Sequence, residues 1–185
     1  MPKIKFTKGE LKRQRDALKQ YSRYLPTLQL KKQQLQLEIL HQLSMLEEKS
    51  RFLDKKVKQV ALWIGLLTDE NTDIKPFLKA QEIKSRLINI AGIDIPVFTE
   101  VLFMPADYDL FNAPLWLDLG IESLREVASL KVEIEYIEKG ISILRKELNI
   151  TTQRVNLFEK VKIPEAEENI RLIKIYIGDQ MSNAV

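Results

Sequence analysis

The sequence predicts a predominantly all-α protein, in which two long helices form an antiparallel coiled coil and the middle segment adds a short helix and a small β-hairpin. Two ladders of apolar residues, one near each end of the 185-residue chain, predict the helices. Prolines and alternating β-branched residues between the ladders predict the hairpin. Because each ladder forms one narrow apolar stripe, the two helices are expected to bury their stripes against each other.

The first ladder steps by sevens from Leu11, and only Lys32 interrupts it. Its apolar members, which form the predicted seam of the first helix, are Leu11, Leu18, Leu25, Ile39, Leu46, Leu53, Val60 and Leu67. The second ladder alternates steps of three and four, and its predicted seam residues are Val127, Leu130, Ile134, Ile137, Ile141, Leu144, Leu148 and Val155. This spacing is typical of coiled-coil core positions.

Local signals place the ends of the first helix. Thr7 and Glu10 form a T-x-x-E capping box, in which each side chain can satisfy a backbone N–H of the other residue, so the helix is predicted to begin after Thr7. Polar turn-forming residues at 68–73 predict its end near Leu67. Pro26 removes a helical hydrogen bond, which predicts either a bend or a break.

The predicted organisation has three parts. Residues 1–68 form the N-terminal coiled-coil helix, 69–120 the middle segment, and 121–185 the C-terminal coiled-coil helix with a bend near Pro164. In the middle segment, 74–86 is predicted to be a short helix, 87–90 and 93–103 the strands of a hairpin around Ala91-Gly92, and 107–112 a loop. A two-stranded hairpin is marginal in water, so either the coiled coil or a partner protein must support it.

Composition and motifs argue against an enzyme. Charged residues make up 30% and hydrophobic residues 45% of the chain, and no apolar run approaches the length of a membrane span. The absence of cysteine excludes thiolate metal sites, His41 is the only histidine, and the scattered glycines form no phosphate-binding loop. We therefore expect no catalytic, cofactor-binding or metal-binding residues, no signal peptide, and a cytoplasmic location.

The N-terminal residues are the most basic part of the chain. Eight lysines and arginines, against two acidic residues, lie within residues 1–25, among them Lys12, Arg13 and Arg15. Such a cluster is either a solvated helix face or a contact for a protein partner, with nucleic acid or lipid less favoured because aromatic residues are sparse there.

A further pattern lies between residues 151 and 173, and its members are Thr151, Arg154, Val155, Asn156, Glu159, Ile163, Pro164, Ile170 and Ile173. At these positions the chain resembles the signature of the D subunit of V-type (vacuolar and archaeal-type) ATPases. The chain departs from the signature at Gln153, where the family has arginine, at Leu157-Phe158 in place of Ala-Leu, and at Asn169 in place of threonine.

The resemblance implies a central-stalk rotor shaft in a V-type proton- or sodium-translocating ATPase or ATP synthase. The partners would be the catalytic A and regulatory B subunits of the head, the F subunit of the central stalk and an adaptor on the membrane ring, with one copy of the chain per complex, no nucleic acid and no membrane insertion. ATP would bind in the head, and the shaft would be non-catalytic and peripheral to the cytoplasmic side of the membrane. Lys12, Arg13 and Arg15, with the end after Pro164, would contact the head. The alternative is a non-rotary coiled-coil adaptor or tethering protein.

Overall fold

The computed structural model describes residues 5–63, 65, 74–109 and 113–182. Its elements, in chain order, are α1 (Lys8–Ala61), a 3-10 turn (Lys75–Leu78), β1 (Ala80–Ile90), β2 (Ile93–Phe103), α2 (Leu117–Leu157), a π-helical segment (Phe158–Lys162) and α3 (Ile163–Ser182). Long helices with one small antiparallel hairpin confirm the predicted fold class. The chain divides into two compact units, a terminal unit of residues 1–36 and 146–185 and a central unit of residues 37–145.

The start of α1 confirms the predicted cap at Thr7. The backbone N–H of Glu10 donates to Thr7 Oγ1 at 3.2 Å, and α1 begins at Lys8. The reciprocal half of the capping box was wrong, because the N–H of Thr7 donates to the carbonyl of Lys5, while the Glu10 carboxylate accepts from Gln14. Two backbone N–H groups at the start of the helix, which have no partner within it, are therefore satisfied: that of Glu10 by a side chain and that of Thr7 by a local turn.

Two expectations for α1 need correction. The helix continues through Pro26, so a break there was wrong. It ends at Ala61, earlier than the predicted Leu67, because the chain tightens into i to i−3 hydrogen bonds, including Trp63 N–H to the Val60 carbonyl at 3.1 Å. A sevenfold apolar pattern identifies a face but does not mark where helical hydrogen bonding stops. Leu67 itself lies outside the described residues.

In the terminal unit, α1 lies antiparallel to the C-terminal helices. The Phe6 ring contacts Tyr176, the Tyr21 ring contacts Phe158 at 5.4 Å between centroids, and Lys31 Nζ bonds Glu147 at 2.8 Å, so positions rise along α1 as they fall along its partner. The buried residues of this unit are Leu35, Thr151, Val155, Ala166, Ile170 and Ile173. The unit is thus closed by an apolar seam with aromatic and ionic contacts beside it.

A π-helical segment lies just before Pro164, where the sequence predicts a bend. The N–H of Ile163 bonds the carbonyl of Phe158, five residues earlier. Proline has no N–H and its ring crowds the carbonyl four residues back, so the turn before Pro164 cannot close as an ordinary α-turn. A wider turn lets the chain continue into α3 without a gap in the helix.

In the central unit, α1 and α2 are also antiparallel. Lys49 Nζ contacts Glu133 at 2.8 Å and Lys56 Nζ contacts Glu126 at 2.8 Å, so a step of seven residues on one helix matches a step of seven on the other. All predicted seam residues that the structure describes, in both units, are buried or half-buried. Within the central unit, α1 from residue 37 onward and α2 up to residue 145 therefore share one apolar interface.

The β-hairpin forms around the predicted turn. Ala91 and Gly92 both have positive φ, 52° and 80°, and Ile90 pairs with Ile93 across the turn. Two consecutive positive φ angles are characteristic of type I′ turns, which favour glycine at the second position and match the twist of antiparallel strands. The carbonyl oxygen of the Asn89 side chain accepts from the N–H of Gly92 at 3.2 Å and braces the turn.

The predicted short helix over 74–86 was wrong beyond its first turn. Only Lys75–Leu78 is helical, as a 3-10 turn, and β1 begins at Ala80. The residues that follow pair with β2, for example Ile83 with Val101 and Lys84 with Glu100. This pairing is non-local, so the register with β2 overrides the local helix preference of the segment. Residues 107–109 of the predicted loop form no regular element, and residues 110–112 lie outside the described part of the chain. Helix α2 begins at Leu117, slightly before the predicted boundary.

The helix pair of the central unit supports the hairpin. Ile95 of β2 is 1% exposed and lies over Gly140 of α2, where an added Cβ would come 3.9 Å from its side chain. The Phe98 ring contacts Tyr136 of α2 at 6.2 Å between centroids. The sequence left open whether the coiled coil or a partner protein supports the hairpin. The structure shows that the helices of the coiled coil cover at least one face of it.

Candidate functional site

The described residues form several surfaces that could contact another protein. Within the described residues no group of His, Cys, Asp or Glu could hold a metal ion, and no described helix is long and apolar enough to cross a membrane. His41 is exposed on α1. We therefore describe three surfaces that could bind another protein.

The basic surface consists of Lys12, Arg13 and Arg15 on the first turns of α1. All three side chains are exposed, and Arg13 lies 4.0 Å from the carboxylate of Glu10. Lys12 and Arg15 make no ion pair with any residue that the structure describes. Exposed, unpaired cations of this kind attract an acidic partner at long range and are weakened by salt.

The C-terminal motif divides into a buried and an exposed half. Thr151, Val155, Ile170 and Ile173 are buried, at 9% exposure or less. These residues form part of the seam of the terminal unit, so their identity is explained by packing. Thr151 is the polar residue of this buried set, at 1% exposure. Every buried side-chain polar atom among the described residues has a hydrogen-bond partner, so burial leaves no unsatisfied polar atom there.

The exposed half of the motif has no such internal explanation. Arg154, Asn156 and Glu159 are exposed, and none of them has a hydrogen bond or ion pair with another side chain in the described part of the chain. Ile163 is half-buried and Pro164 is exposed where the π-helical segment meets α3. Polar residues without internal partners are free to contact another protein.

The base of the hairpin is held by one side chain of α2. Arg125 Nε donates to the carbonyl of Phe77 at 2.9 Å, and its Nη2 donates to the carbonyl of Met104 at 2.5 Å. The same guanidinium lies 5.2 Å from the centre of the Phe103 ring. Phe77 precedes β1 and Met104 follows β2, so Arg125 ties both ends of the hairpin to α2. The planar fork of arginine suits two acceptors at once.

The hairpin and the adjoining end of the central unit carry exposed apolar side chains. On β1, Leu87 is 70% exposed, and near the helix ends Leu62, Leu115 and Leu119 are 89%, 100% and 68% exposed. Lys84 bonds Glu100 across the strands, and this hydrogen bond raises the pKa of the Lys84 ammonium. Large apolar side chains that remain exposed in this way are candidates for contact with another protein. Sequence periodicity did not identify this surface, because an apolar pattern does not show which apolar residues the fold leaves exposed.

Comparison with known proteins decides the family. A family model that describes the D subunit of ATP synthase matches residues 10–185. The chain belongs to this family. The chain is 43% identical to the V-type ATP synthase D subunit of Borreliella burgdorferi over 185 residues, which cover 100% of this chain and 91% of that relative. It is 31% identical to the V-type ATP synthase D subunit of Chlamydia pneumoniae over 96% of this chain and 86% of the relative.

The family match confirms the resemblance first identified in the C-terminal motif. The match covers residues 10–185, which include most of α1 and the whole hairpin, where the sequence resembles the family more loosely than in the C-terminal motif. Members of this family are subunits of an ATP synthase, so this chain is part of a complex with other subunits.

Proposed function

We propose that this chain is the central-stalk rotor shaft of a V-type proton- or sodium-translocating ATPase or ATP synthase. In this role it is non-catalytic, present in one copy per complex, and couples ATP turnover in the head to rotation of the membrane ring. The observation that carries the proposal is the family match over residues 10–185, together with the antiparallel helix pair found in each unit. The complex places the chain on the cytoplasmic side of the membrane, without insertion into it.

The terminal unit is the part that we assign to the head formed by the catalytic A and regulatory B subunits. Its apolar seam and its Lys31–Glu147 bond hold two helices together, which a shaft needs to transmit torque. Lys12, Arg13 and Arg15 are the proposed head contacts. A shaft whose sides differ makes different contacts at each catalytic interface, and such differential contacts are what shift a conformational equilibrium.

The central unit is the part that we assign to the F subunit of the stalk and the membrane-ring adaptor. The exposed leucines and the braced hairpin provide an apolar surface on a rigid support. A partner that covers this surface gains the free energy of apolar burial.

Reversible cross-linking distinguishes a rotor shaft from a stationary tether. Since the chain contains no cysteine, an Arg15→Cys substitution introduces a single reactive thiol without removing any other. In a reconstituted complex whose head carries one cysteine facing the shaft, a disulfide should stop ATP turnover, and reduction should restore it. The matched control is Arg15→Cys with a head that lacks the partner cysteine. Turnover that continues in the cross-linked complex would identify a non-rotary adaptor or tether.

A further inference from the structure

Strand β1 has one paired edge and one open edge. Among the described residues the sheet consists of β1 and β2 alone, paired antiparallel. Every residue of β1 from Ala80 to Leu87 is exposed. An open edge presents backbone N–H and C=O groups without partners, and these groups can pair with a strand of another chain.

The hairpin turn determines which residues of β1 direct their backbone groups to the open edge. Ile90 and Ile93 flank the two-residue turn, so they are hydrogen-bonded to each other. Hydrogen-bonded and non-hydrogen-bonded pairs alternate along an antiparallel ladder. Pro96, which has no N–H, lies opposite Leu87 at a non-hydrogen-bonded position, as this alternation requires. The residues whose N–H and C=O groups point outward are Ile83, Ser85, Leu87 and Asn89.

Neither bulge of the hairpin interrupts this outward-pointing run. The register shifts between Lys84 and Ser85 because β2 has an extra residue, Thr99, at that step. The extra residue of β1 is Gln81, close to the start of the strand. The alternation along β1 is therefore regular from Glu82 onward. Bulges protect an edge by twisting it away from a partner, and this stretch of the edge lacks that protection.

The apolar side chains of the run are self-complementary about Ser85. If two copies of β1 pair antiparallel with Ser85 opposite Ser85, Ile83 of each copy lies opposite Leu87 of the other. The side chains of Ile83 and Leu87 are 42% and 70% exposed, and they lie on the same face because side chains alternate along a strand. Directly opposite apolar residues stabilise paired strands, so this register forms two such pairs.

The charged side chains of the hairpin fit the same register. Arg86 is exposed and makes no ion pair among the described residues, whereas Lys84 is bonded to Glu100 at 2.7 Å. In the paired strands, Arg86 lies opposite Lys84 of the second copy and diagonal to its Glu82, which is within reach of a long side chain. Because Glu100 offsets the charge of Lys84, the pairing gives Arg86 a carboxylate and leaves acidic and basic groups in equal numbers.

We propose that free copies of this chain dimerise through β1, as a four-stranded antiparallel sheet whose two-fold axis passes between the two Ser85 residues. The edge favours a second copy as its occupant, because one register of the same strand matches the backbone groups, the apolar pairs and the charges. Two paired edge strands bury less surface than a standard interface, so the dimer is weak and reversible. This inference goes beyond the proposed shaft function, since it concerns the chain outside the complex, where pairing shields an edge that would otherwise promote aggregation.

Single cysteines test the register, since the chain contains no cysteine. Ser85→Cys in the purified full chain should form a disulfide-linked dimer under mild oxidation, because the two Cα atoms would lie about 5.5 Å apart. Ile83→Cys alone, or Leu87→Cys alone, should cross-link at least about tenfold more slowly, because the two copies of either residue are separated by about 13 Å along the strands. A mixture of Ile83→Cys and Leu87→Cys chains should cross-link as fast as Ser85→Cys.

Light scattering over a concentration series tests the reversible dimer. The dimer fraction of the parent chain should rise with concentration. Ser85→Pro should weaken dimerisation at least about tenfold, because it removes an outward N–H and no hydrogen bond to β2. Leu87→Asp should also weaken it, since the apolar pairs are lost. The matched control is Leu119→Asp, because Leu119 is 68% exposed but lies on α2, and it should change the dimer affinity less than twofold. Unchanged unfolding midpoints show that each variant is folded.

Three results would overturn the inference. The first is a parent chain that remains monomeric at every concentration. The second is disulfide formation that is no faster for Ser85→Cys than for Ile83→Cys. The third is Ser85→Cys that cross-links only to a different subunit in the assembled complex, which would show that the edge serves another protein. The shaft function is tested separately by the Arg15→Cys disulfide, so it stands if that disulfide stops turnover while the dimer fails.

Discussion

Replacing Arg125 with methionine should loosen the base of the β-hairpin while leaving the helix pair folded. Methionine keeps an unbranched apolar stem of similar length but removes the donors that bind the carbonyls of Phe77 and Met104. It also removes the cation over the Phe103 ring. Both ends of the hairpin would then lose their attachment to α2.

The magnitude follows from the three contacts. A hydrogen bond from a charged group contributes roughly 1.5–3 kcal/mol, and a cation–π contact at an exposed site about 0.5–1 kcal/mol. The bond to Met104 is exposed to solvent and counts for less than the half-buried bond to Phe77. We therefore expect the free energy of local opening at the hairpin base to fall by about 2–4 kcal/mol. This corresponds to a roughly 30- to 700-fold increase in the equilibrium constant for opening.

Amide hydrogen exchange measures this opening directly. The amides of β1 and β2 that bond across the sheet should exchange faster by that factor in Arg125→Met, whereas amides of α2 beyond the next turn should not change. The exchange rates of the strand amides in Arg125→Lys should lie between those of the parent chain and those of Arg125→Met, because a single ammonium reaches one of the two carbonyls more readily than both. The matched control is Arg51→Met, since the one ion pair of Arg51 among the described residues is with Glu47 on its own helix. Strand exchange within about threefold of the parent chain would refute the assigned anchoring.

Three further predictions test the seam, the tryptophan contact and the C-terminal helix. Leu144→Ala should lower the unfolding free energy by roughly 2–5 kcal/mol in urea titrations, because Leu144 is 0% exposed; a change below about 1 kcal/mol would contradict its core position. Gly120→Val should destabilise by about 1–3 kcal/mol and shift tryptophan emission to longer wavelength, since even a Cβ there would lie 3.2 Å from the Trp116 ring; unchanged emission would contradict this packing. The hydrogen bond from Arg171 lowers the pKa of the Glu168 carboxyl. The stabilisation of α3 by this bond is therefore fully present above the pKa of a glutamate in the unfolded chain, and is lost as the pH falls through the lower pKa of the folded state. Carboxyl NMR titration should show the Glu168 midpoint rise in Arg171→Gln, and an unmoved midpoint would exclude the bond in solution.

The parts of the fold that the sequence predicts well depend on local chemistry or on long periodic patterns. The cap at Thr7 depends on one side chain and one backbone N–H three residues away. The hairpin turn depends on Gly92, which adopts a positive φ without steric cost. The fold class follows from two ladders long enough to exclude chance. In each case the information lies within a short window or repeats along the chain.

The parts that the sequence misses depend either on distant residues or on the hydrogen-bond geometry of single turns. Ala80 to Arg86 have no strong strand pattern of their own, and become a strand because β2 offers a register in which Lys84 meets Glu100. The end of α1 at Ala61 is likewise set by local tightening that an apolar ladder does not report. Pro164 signals an irregularity, but only the hydrogen bond from Ile163 to Phe158 shows that it takes the form of a π-helical segment.

The candidate surfaces divide in the same way. Lys12, Arg13 and Arg15 could be identified from the sequence because charge is visible without a fold. The sequence could not separate the exposed residue Arg154 from its buried neighbour Val155, since that requires knowing which side of α2 faces α1. It also could not reveal the role of Arg125, whose acceptors are backbone carbonyls 48 and 21 residues away along the chain.

Direct observation of rotation tests the central claim most directly. A Gln81→Cys substitution on the exposed strand β1 provides the only thiol of the chain, to which a bead can be attached in a complex immobilised through its head. With ATP present, the shaft function predicts that the bead turns in one direction, in discrete steps that follow nucleotide turnover. A bead that remains stationary while the head hydrolyses ATP would contradict the account and leave a stationary adaptor or tether.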